Sequence, residues 1–133
     1  MSPEDDRPVR LVLDRSALLA YLAGSVHVGE PLHEVIQDRN RFAVTAVTAA
    51  EALAIVGDPK ERATLHRLLN LDACEVLSTE GHSWHELSFW RTVTGRADLA
   101  STALAVLEHD ASILTGEDRC YGDGELPVIH IPD

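Results

Sequence analysis

The sequence is poor in cysteine and has no long apolar run. Its two cysteines, Cys74 and Cys120, form no Cys-x-x-Cys pair. Two isolated thiols predict free cysteines in a reducing compartment. Residues 1–10 are polar and acidic, unlike a signal segment, and no apolar stretch is long enough to span a bilayer. We therefore expect a cytoplasmic protein with no membrane partner.

Lysine is also scarce: the sequence has one lysine, Lys60, and ten arginines. Acidic residues outnumber basic ones by 22 to 11, and the formal net charge is −11. An evenly spread negative charge repels nucleic acid and argues against non-specific binding to it. The repulsion weakens if several carboxylates bind a divalent cation, because the ion inverts the local field where a phosphate would lie.

The size and composition are those of one globular domain. The chain has 133 residues, of which 45% are hydrophobic and 25% are charged. This length is sufficient to bury a core without disulfides. We expect a single domain over residues 1–133, with residues 1–8 flexible.

Short apolar segments alternate with segments that have helical spacing, which favours a parallel sheet covered by helices on both faces. The pattern predicts an α/β fold with three layers, α/β/α, around a mostly parallel sheet of about five strands. The predicted strands are Val9–Leu13, Phe42–Val44, Ala73–Leu77, Ala111–Thr115 and Pro127–Ile131. The predicted helices are Ser16–Ala23, Gly29–Asp38, Ala49–Val56, Lys60–Leu71, a segment carrying Trp84 that ends by Gly95, and Ala97–His109.

Acidic residues fall where a parallel sheet gathers functional groups, at the carboxyl ends of strands and the starts of helices. Asp14 follows the first strand, and Glu117 and Asp118 follow the fourth. Glu51 and Asp98 lie near the starts of two helices. Such residues are often helix caps or solvated charges when taken singly, but a cluster of carboxylates requires a hard cation. The joint pattern predicts a Mg²⁺ or Mn²⁺ site, because both ions prefer oxygen ligands.

Four segments together resemble the motifs of the PIN domain family, and most closely its compact VapC-type toxins. They are LVLDRSALLAYL from Leu11, TAAEAL from Thr48, RADLA from Arg96 and ILTGE from Ile113. The resemblance covers residues 9–131 and implies a PIN-like fold and a metal-dependent endoribonuclease, the toxin of a toxin–antitoxin pair. It further implies an RNA substrate, a small antitoxin as partner and a homodimer.

The resemblance also implies site residues. Asp14, Glu51 and Asp98 match the acidic metal ligands of the family, and Ser16 matches a supporting hydroxyl residue, with Thr115 as a second one. The fourth acid departs from the family's aspartate, because Glu117 stands in its place and Asp118 follows. Either residue could complete the site.

Three arginines lie within two positions of these acids: Arg15, Arg96 and Arg119. Guanidinium groups match phosphate geometry, so these residues are candidates for binding the RNA backbone. The alternative for each is an ordinary surface ion pair. Similarly, Trp84, Leu87 and Trp90 could stack on bases, but their spacing is more typical of a core or a dimer face.

Two other functions compete with the nuclease. Arg15, the altered fourth acid and the negative charge favour a catalytically weak binding module that keeps the fold and its protein partner. A receiver-like signalling domain also binds magnesium at strand ends, but it needs a lysine after a late strand. Lys60 lies in the middle of the chain, which counts against a receiver.

Overall fold

Five parallel strands form one sheet in the order β3-β2-β1-β4-β5. The computed structural model describes residues 6–132. Most of the segment expected to be flexible, residues 1–8, lies outside the described residues. The strands are β1 (Val9–Leu13), β2 (Arg41–Thr45), β3 (Cys74–Leu77), β4 (Ser112–Thr115) and β5 (Val128–His130). The helices are α1 (Arg15–Leu22), α2 (Val26–Gln37), α3 (Ala46–Ile55), α4 (Pro59–Leu69), α5 (Trp84–Thr94) and α6 (Ala97–His109), with 3₁₀ turns at Gly81–Ser83 and Asp118–Tyr121.

Local sequence explains where several helices begin. Asp14, Ser25, Thr45 and Asp58 each occupy the position before a helix and accept a hydrogen bond from a backbone N–H of its first turn. These short polar side chains satisfy donors that the helix itself leaves unpaired. Pro59 opens α4, where its missing N–H costs nothing. At Asp14 and Thr45, a strand therefore passes into the next helix without an intervening loop.

Two apolar clusters lie on opposite faces of the sheet and make the three layers. Val12 and Ile113 point toward the cluster formed with α5 and α6, whereas Leu13 and Leu114 point toward the cluster formed with α1 to α4. Successive side chains alternate between faces, so each central strand contributes to both clusters. The expected three-layer α/β fold is confirmed.

The strand order places a crevice between β1 and β4. From β1 the chain adds β2 and β3 on one side, and it then returns to add β4 and β5 on the other. The chain segments that follow the carboxyl ends of these two strands diverge at this switch point, where α/β proteins commonly bind ligands. In receiver domains of the flavodoxin-like order, by contrast, the third strand pairs with the first. Here β3 pairs with β2, so the receiver alternative is wrong.

The predicted elements are all present, with small differences at their ends. The bounds of β1 and α6 agree with the prediction, and α2 begins three residues earlier than expected. Trp90 is buried and Leu87 packs beside it, but the Trp84 residue is 69% exposed and is no core residue. Both cysteines are free thiols, as predicted. Among the described residues, the helices are all too short or too polar to cross a bilayer.

Candidate active site

Asp14 is the most deeply buried acid at the crevice, with none of its surface exposed. Its Oδ1 atom accepts hydrogen bonds from Ser16 Oγ at 2.6 Å and from the backbone N–H of Ala17 at 3.0 Å. Its Oδ2 atom accepts from Thr115 Oγ1 and, at 2.7 Å, from the Tyr121 hydroxyl. Four donors therefore replace the water that this carboxyl group loses on burial.

Ser16 and Thr115 link the two strand ends across the crevice. Ser16 Oγ accepts a hydrogen bond from the backbone N–H of Gly116 at 2.9 Å while it donates to Asp14. Thr115 Oγ1 likewise accepts from the backbone N–H of Glu117 at 2.8 Å. The two hydroxyls thus fix the loop after β4 against the start of α1. Their role as supporting residues of a catalytic site stays a prediction.

Tyr121 is a site residue that sequence reasoning missed. It lies in the 3₁₀ turn after β4 and is 2% exposed. Burial raises the pKa of its hydroxyl far above the ordinary value, and the charge and hydrogen bond of Asp14 and the charges of Glu117 and Asp98 raise it further. The phenol therefore stays protonated and remains a donor. Asp14 and Asp98, both distant in sequence, act on this hydroxyl together with Glu117, and no sequence signal marked it.

Asp98 and Glu117 face each other across the guanidinium group of Arg96. Arg96 donates from Nε to Asp98 Oδ1 at 3.0 Å and from Nη2 to Asp98 Oδ2 at 2.9 Å. It also donates from Nη1 to Glu117 Oε1 at 3.3 Å and from Nη2 to Glu117 Oε2 at 3.0 Å. All four carboxylate oxygens are occupied by one cation. Such paired, charge-assisted bonds hold the guanidinium plane in one orientation.

The pKa values of this group follow from the same contacts. Burial is the largest influence on Asp98 and raises its pKa, but the hydrogen bonds and charge of Arg96 and the charge of Arg15 lower it, and the net pKa is below the ordinary value. The hydrogen bond to Asp98 leads the influences that raise the pKa of Arg96. Asp98 is therefore an anion and Arg96 a cation at neutral pH.

The backbone of Asp98 is held by a group of buried hydroxyls. Its carbonyl oxygen accepts from Ser101 Oγ at 2.8 Å, Thr102 Oγ1 at 3.0 Å and Thr48 Oγ1 at 3.4 Å. Thr45 Oγ1 in turn contacts Ser101 Oγ at 2.7 Å. These bonds join the first turn of α6 to the end of β2 and the start of α3. They fix the position from which the Asp98 side chain extends.

The structure brings some predicted site residues together and leaves others apart. Glu51 is exposed on α3, and Asp118 Oδ1 pairs with His130 Nδ1 at 3.2 Å, away from Asp98. Arg119 is exposed, while Arg15 is half-buried and its charge acts on Asp98. The expected convergence therefore involves Asp14, Asp98 and Glu117, with Arg96 among them.

The prediction that four carboxylates bind one divalent cation stays a prediction. In residues 6–132, no three acids, histidines or cysteines are arranged so that they could hold a metal ion together. In the structure, four donors occupy Asp14, and Arg96 occupies Asp98 and Glu117. The donor chemistry nevertheless suits a hard cation, since Asp98 and Glu117 already share one positive group through oxygen atoms alone.

No protein-family model and no curated protein sequence matches the chain. Solved structures do match it. A chain in the crystal structure of VapBC2 from Rickettsia felis, bound to a DNA fragment from its promoter, has a TM-score of 0.70 and 12% identity. That match covers 92% of this chain and 98% of the other.

Two further structures have the same fold. FitAcB from Neisseria gonorrhoeae matches with a TM-score of 0.64 and 16% identity, over 90% of this chain and 96% of that one. PAE2754 from Pyrobaculum aerophilum matches with a TM-score of 0.58 and 20% identity, over 90% and 83% of the two chains. At these identities the likeness shows the fold. The predicted resemblance to VapC-type chains is confirmed at that level.

Proposed function

We propose that this chain is a metal-dependent endoribonuclease and the toxin of a type II toxin–antitoxin pair. The observation that carries the proposal is the placement of three acids at the switch point of the sheet, where Asp14 bonds Tyr121 while Asp98 and Glu117 share the guanidinium of Arg96. A fold shared with chains from VapBC2 and FitAcB structures supports the toxin assignment. The alternation of buried acids and arginines at this edge suits phosphodiester chemistry.

Asp98 and Glu117 are the residues that would hold Mg²⁺ or Mn²⁺, with Asp14 behind them. The ion, when bound, supplies an activated water and offsets charge on the phosphoryl group. Asp14 orders the site through Ser16 and Thr115. Glu51 stays a candidate ligand only through a movement of its exposed side chain on α3.

Arginine side chains would bind the RNA. Arg15 is half-buried beside Asp98, and Arg119 is exposed in the turn after β4. Both lie near the crevice and can donate paired hydrogen bonds to phosphate oxygens. Because the whole chain carries a charge of −11, this local positive charge is what allows a polyanion to approach.

Two protein partners belong to the proposal. A small antitoxin would bind the chain and silence the site, and a second copy of the chain would form a homodimer. The matching VapBC2 and FitAcB structures are of toxin–antitoxin complexes, which supports the first partner. Sedimentation equilibrium on the isolated chain tests the homodimer, and a single species of 14.5 kDa would contradict it.

The decisive experiment is cleavage of end-labelled RNA by the purified chain with Mn²⁺ and with EDTA. We expect cleavage with Mn²⁺ that is lost in Asp98→Asn and in Glu117→Gln, because both substitutions remove a carboxylate charge that would face the ion. Glu34→Gln, which changes an exposed acid near the end of α2, serves as the matched control and should cleave normally. Cleavage that persists in EDTA or in both site variants would refute the proposal.

A second function is favoured by the same guanidinium contacts. If Arg96 permanently occupies Asp98 and Glu117, the chain is a binding module that keeps the fold and its protein partner without efficient cleavage. Mn²⁺ binding separates the two functions. Calorimetry that detects no Mn²⁺ binding, together with the absence of cleavage, supports the module.

A further inference from the structure

Arg96 lies between Asp98 and Glu117, the two residues proposed to hold a metal ion. We infer that Arg96 and a divalent cation compete for Asp98 and Glu117, so that the guanidinium is a built-in plug that must move out before metal binds. This inference rests on the proposed function and adds a control of metal binding to it. The plug is part of the chain itself and requires no partner.

The first argument is the use of ligand atoms. Arg96 donates one hydrogen bond to each oxygen of Asp98 and to each oxygen of Glu117. An oxygen engaged by an arginine in the plane of its carboxylate has that lone-pair direction occupied. A divalent ion between the two carboxylates therefore displaces the guanidinium from at least part of this set.

The second argument is charge. The side chains of Asp98 and Glu117 supply two negative charges, and Arg96 already neutralises half of them. A divalent ion placed beside a fixed guanidinium would be repelled by it at a distance of a few ångströms, where the interaction is barely screened. The pair of carboxylates can therefore hold either the ion or the guanidinium, but not both in the same place.

The third argument is freedom to move. Arg96 lies in extended backbone before α6, and its side chain is 31% exposed. Asp98, by contrast, is 3% exposed and is tied at its carbonyl to Ser101 and Thr102. The guanidinium can turn into solvent by side-chain rotation, while the carboxylate stays where it is. Once outside, Arg96 is available to a phosphate group at the rim of the crevice.

The first test measures Mn²⁺ affinity by calorimetry on the full chain. We expect Arg96→Gln to bind Mn²⁺ about tenfold more tightly than the wild type, because the competing cation is gone. Arg91→Gln removes an exposed arginine from the last turn of α5 and should leave the affinity unchanged. Asp98→Asn should abolish binding. A thermal melt of each variant shows whether it is folded, and if Arg96→Gln unfolds, the second test, on the wild-type protein, decides.

The second test follows Arg96 in the wild-type protein, without any substitution in the measured sample. In NMR spectra of arginine Nε–Hε groups, the Arg96 signal is identified by its loss in Arg96→Lys. Because Nε donates to Asp98 Oδ1, we expect Mg²⁺ to shift this signal toward the position of solvent-exposed arginines. The shift should saturate at the same Mg²⁺ concentration as binding measured by calorimetry.

The outcomes distinguish the inference from the function on which it rests. If wild type and Arg96→Gln bind Mn²⁺ equally well and the Arg96 signal does not move, the plug is wrong and the metal-dependent nuclease stands. If neither protein binds Mn²⁺, the proposed function fails and the plug fails with it. Weaker binding in Arg96→Gln would make Arg96 a support of the metal site, which also overturns the inference.

Discussion

Tyr121 and Asp14 are both buried and are joined by a hydrogen bond. The hydroxyl of Tyr121 supplies one of four hydrogen bonds to Asp14, which has no exposed surface and no access to replacement water. A buried carboxyl group that loses one donor bears the full cost of the missing bond. The stability of the folded protein therefore depends on one atom of this side chain, its hydroxyl oxygen.

Tyr121→Phe should lower the free energy of unfolding by about 2 kcal/mol, since it removes a hydrogen bond to a buried carboxyl group and leaves the ring in place. Urea denaturation of both proteins measures the difference. Tyr21→Phe is the matched control, because the Tyr21 hydroxyl has no hydrogen-bond partner within the described part of the chain. Equal losses in the two variants would contradict the assignment.

Cys74 gives the protein a pH-dependent property in the alkaline range. Burial, and after it the charge of Glu75, raises the pKa of the Cys74 thiol from 9.0 to about 12. The unfolded thiol loses its proton near pH 9.0, whereas the folded one keeps it until about pH 12. Its contribution to stability is thus complete below pH 9.0 and is lost as the pH rises toward about 12.

The measurable consequence is slow thiol chemistry in the folded state. In a Cys120→Ser background at pH 9.0, we expect Cys74 to react with a disulfide reagent roughly two to three orders of magnitude more slowly than the same chain in denaturant, because only the thiolate reacts. Absorbance of the released thiol measures both rates. Similar rates in the two states would show that the thiol is not protected.

At the scale of elements, the turn between α5 and α6 determines the positions of Arg96 and Asp98 in the site. Gly95 ends α5 with a left-handed backbone, φ 83°, and Arg96 follows in extended conformation before α6. Residues with a β-carbon seldom adopt a positive φ, so glycine relieves strain at this helix end. The spacing of the two helices, and with it the reach of Arg96 to Asp98, depends on one backbone angle.

Gly95→Ala should destabilise the protein by about 1 kcal/mol through this angle alone, since an added methyl group meets no atom within 4 Å. Gly57→Ala is the control, because Gly57 has equally open surroundings and no positive φ. Thermal unfolding should give a lower Tm for Gly95→Ala and an unchanged or slightly higher Tm for Gly57→Ala. A loss of stability in both variants would point to a cause other than φ.

At the scale of the whole molecule, net charge controls how RNA could bind. With a charge of −11, binding must come from a few arginines at the crevice, so it should depend only weakly on salt. Each phosphate contact contributes a slope of about −0.7 to the logarithm of affinity against the logarithm of salt for a single strand. A small number of contacts therefore predicts a shallow slope.

Arg119→Gln should reduce that slope by about 0.7 and weaken binding similarly for all RNA sequences, because a phosphate contact carries no base information. Fluorescence anisotropy with labelled RNA in Asp98→Asn, which blocks cleavage under the proposed function, supplies the measurement. Arg67→Gln, an exposed arginine on α4, provides the comparison and should leave the slope as it is. An unchanged slope in Arg119→Gln would remove this residue from the RNA surface.

Most of the fold could be predicted from the sequence. Branched apolar runs such as β1 can be buried on both faces of a sheet, and the helical spacing in α6 is long and regular. The placement of Asp14 and of Glu117 at neighbouring strand ends also followed, because parallel strands share one carboxyl edge. Helix starts were less well predicted, since the cap of α2, Ser25, stands outside the apolar pattern.

The sequence by itself determined which groups are available: a chain of alternating strands and helices, with acids and arginines near the strand ends. Only the tertiary structure decided which of them meet. It left Glu51 in solvent, turned Asp118 toward His130, and inserted Arg96 between Asp98 and Glu117. The reason is that hydropathy and helix signals act over a few residues, whereas a contact between residues 96 and 117 depends on the packing of α6 against the sheet.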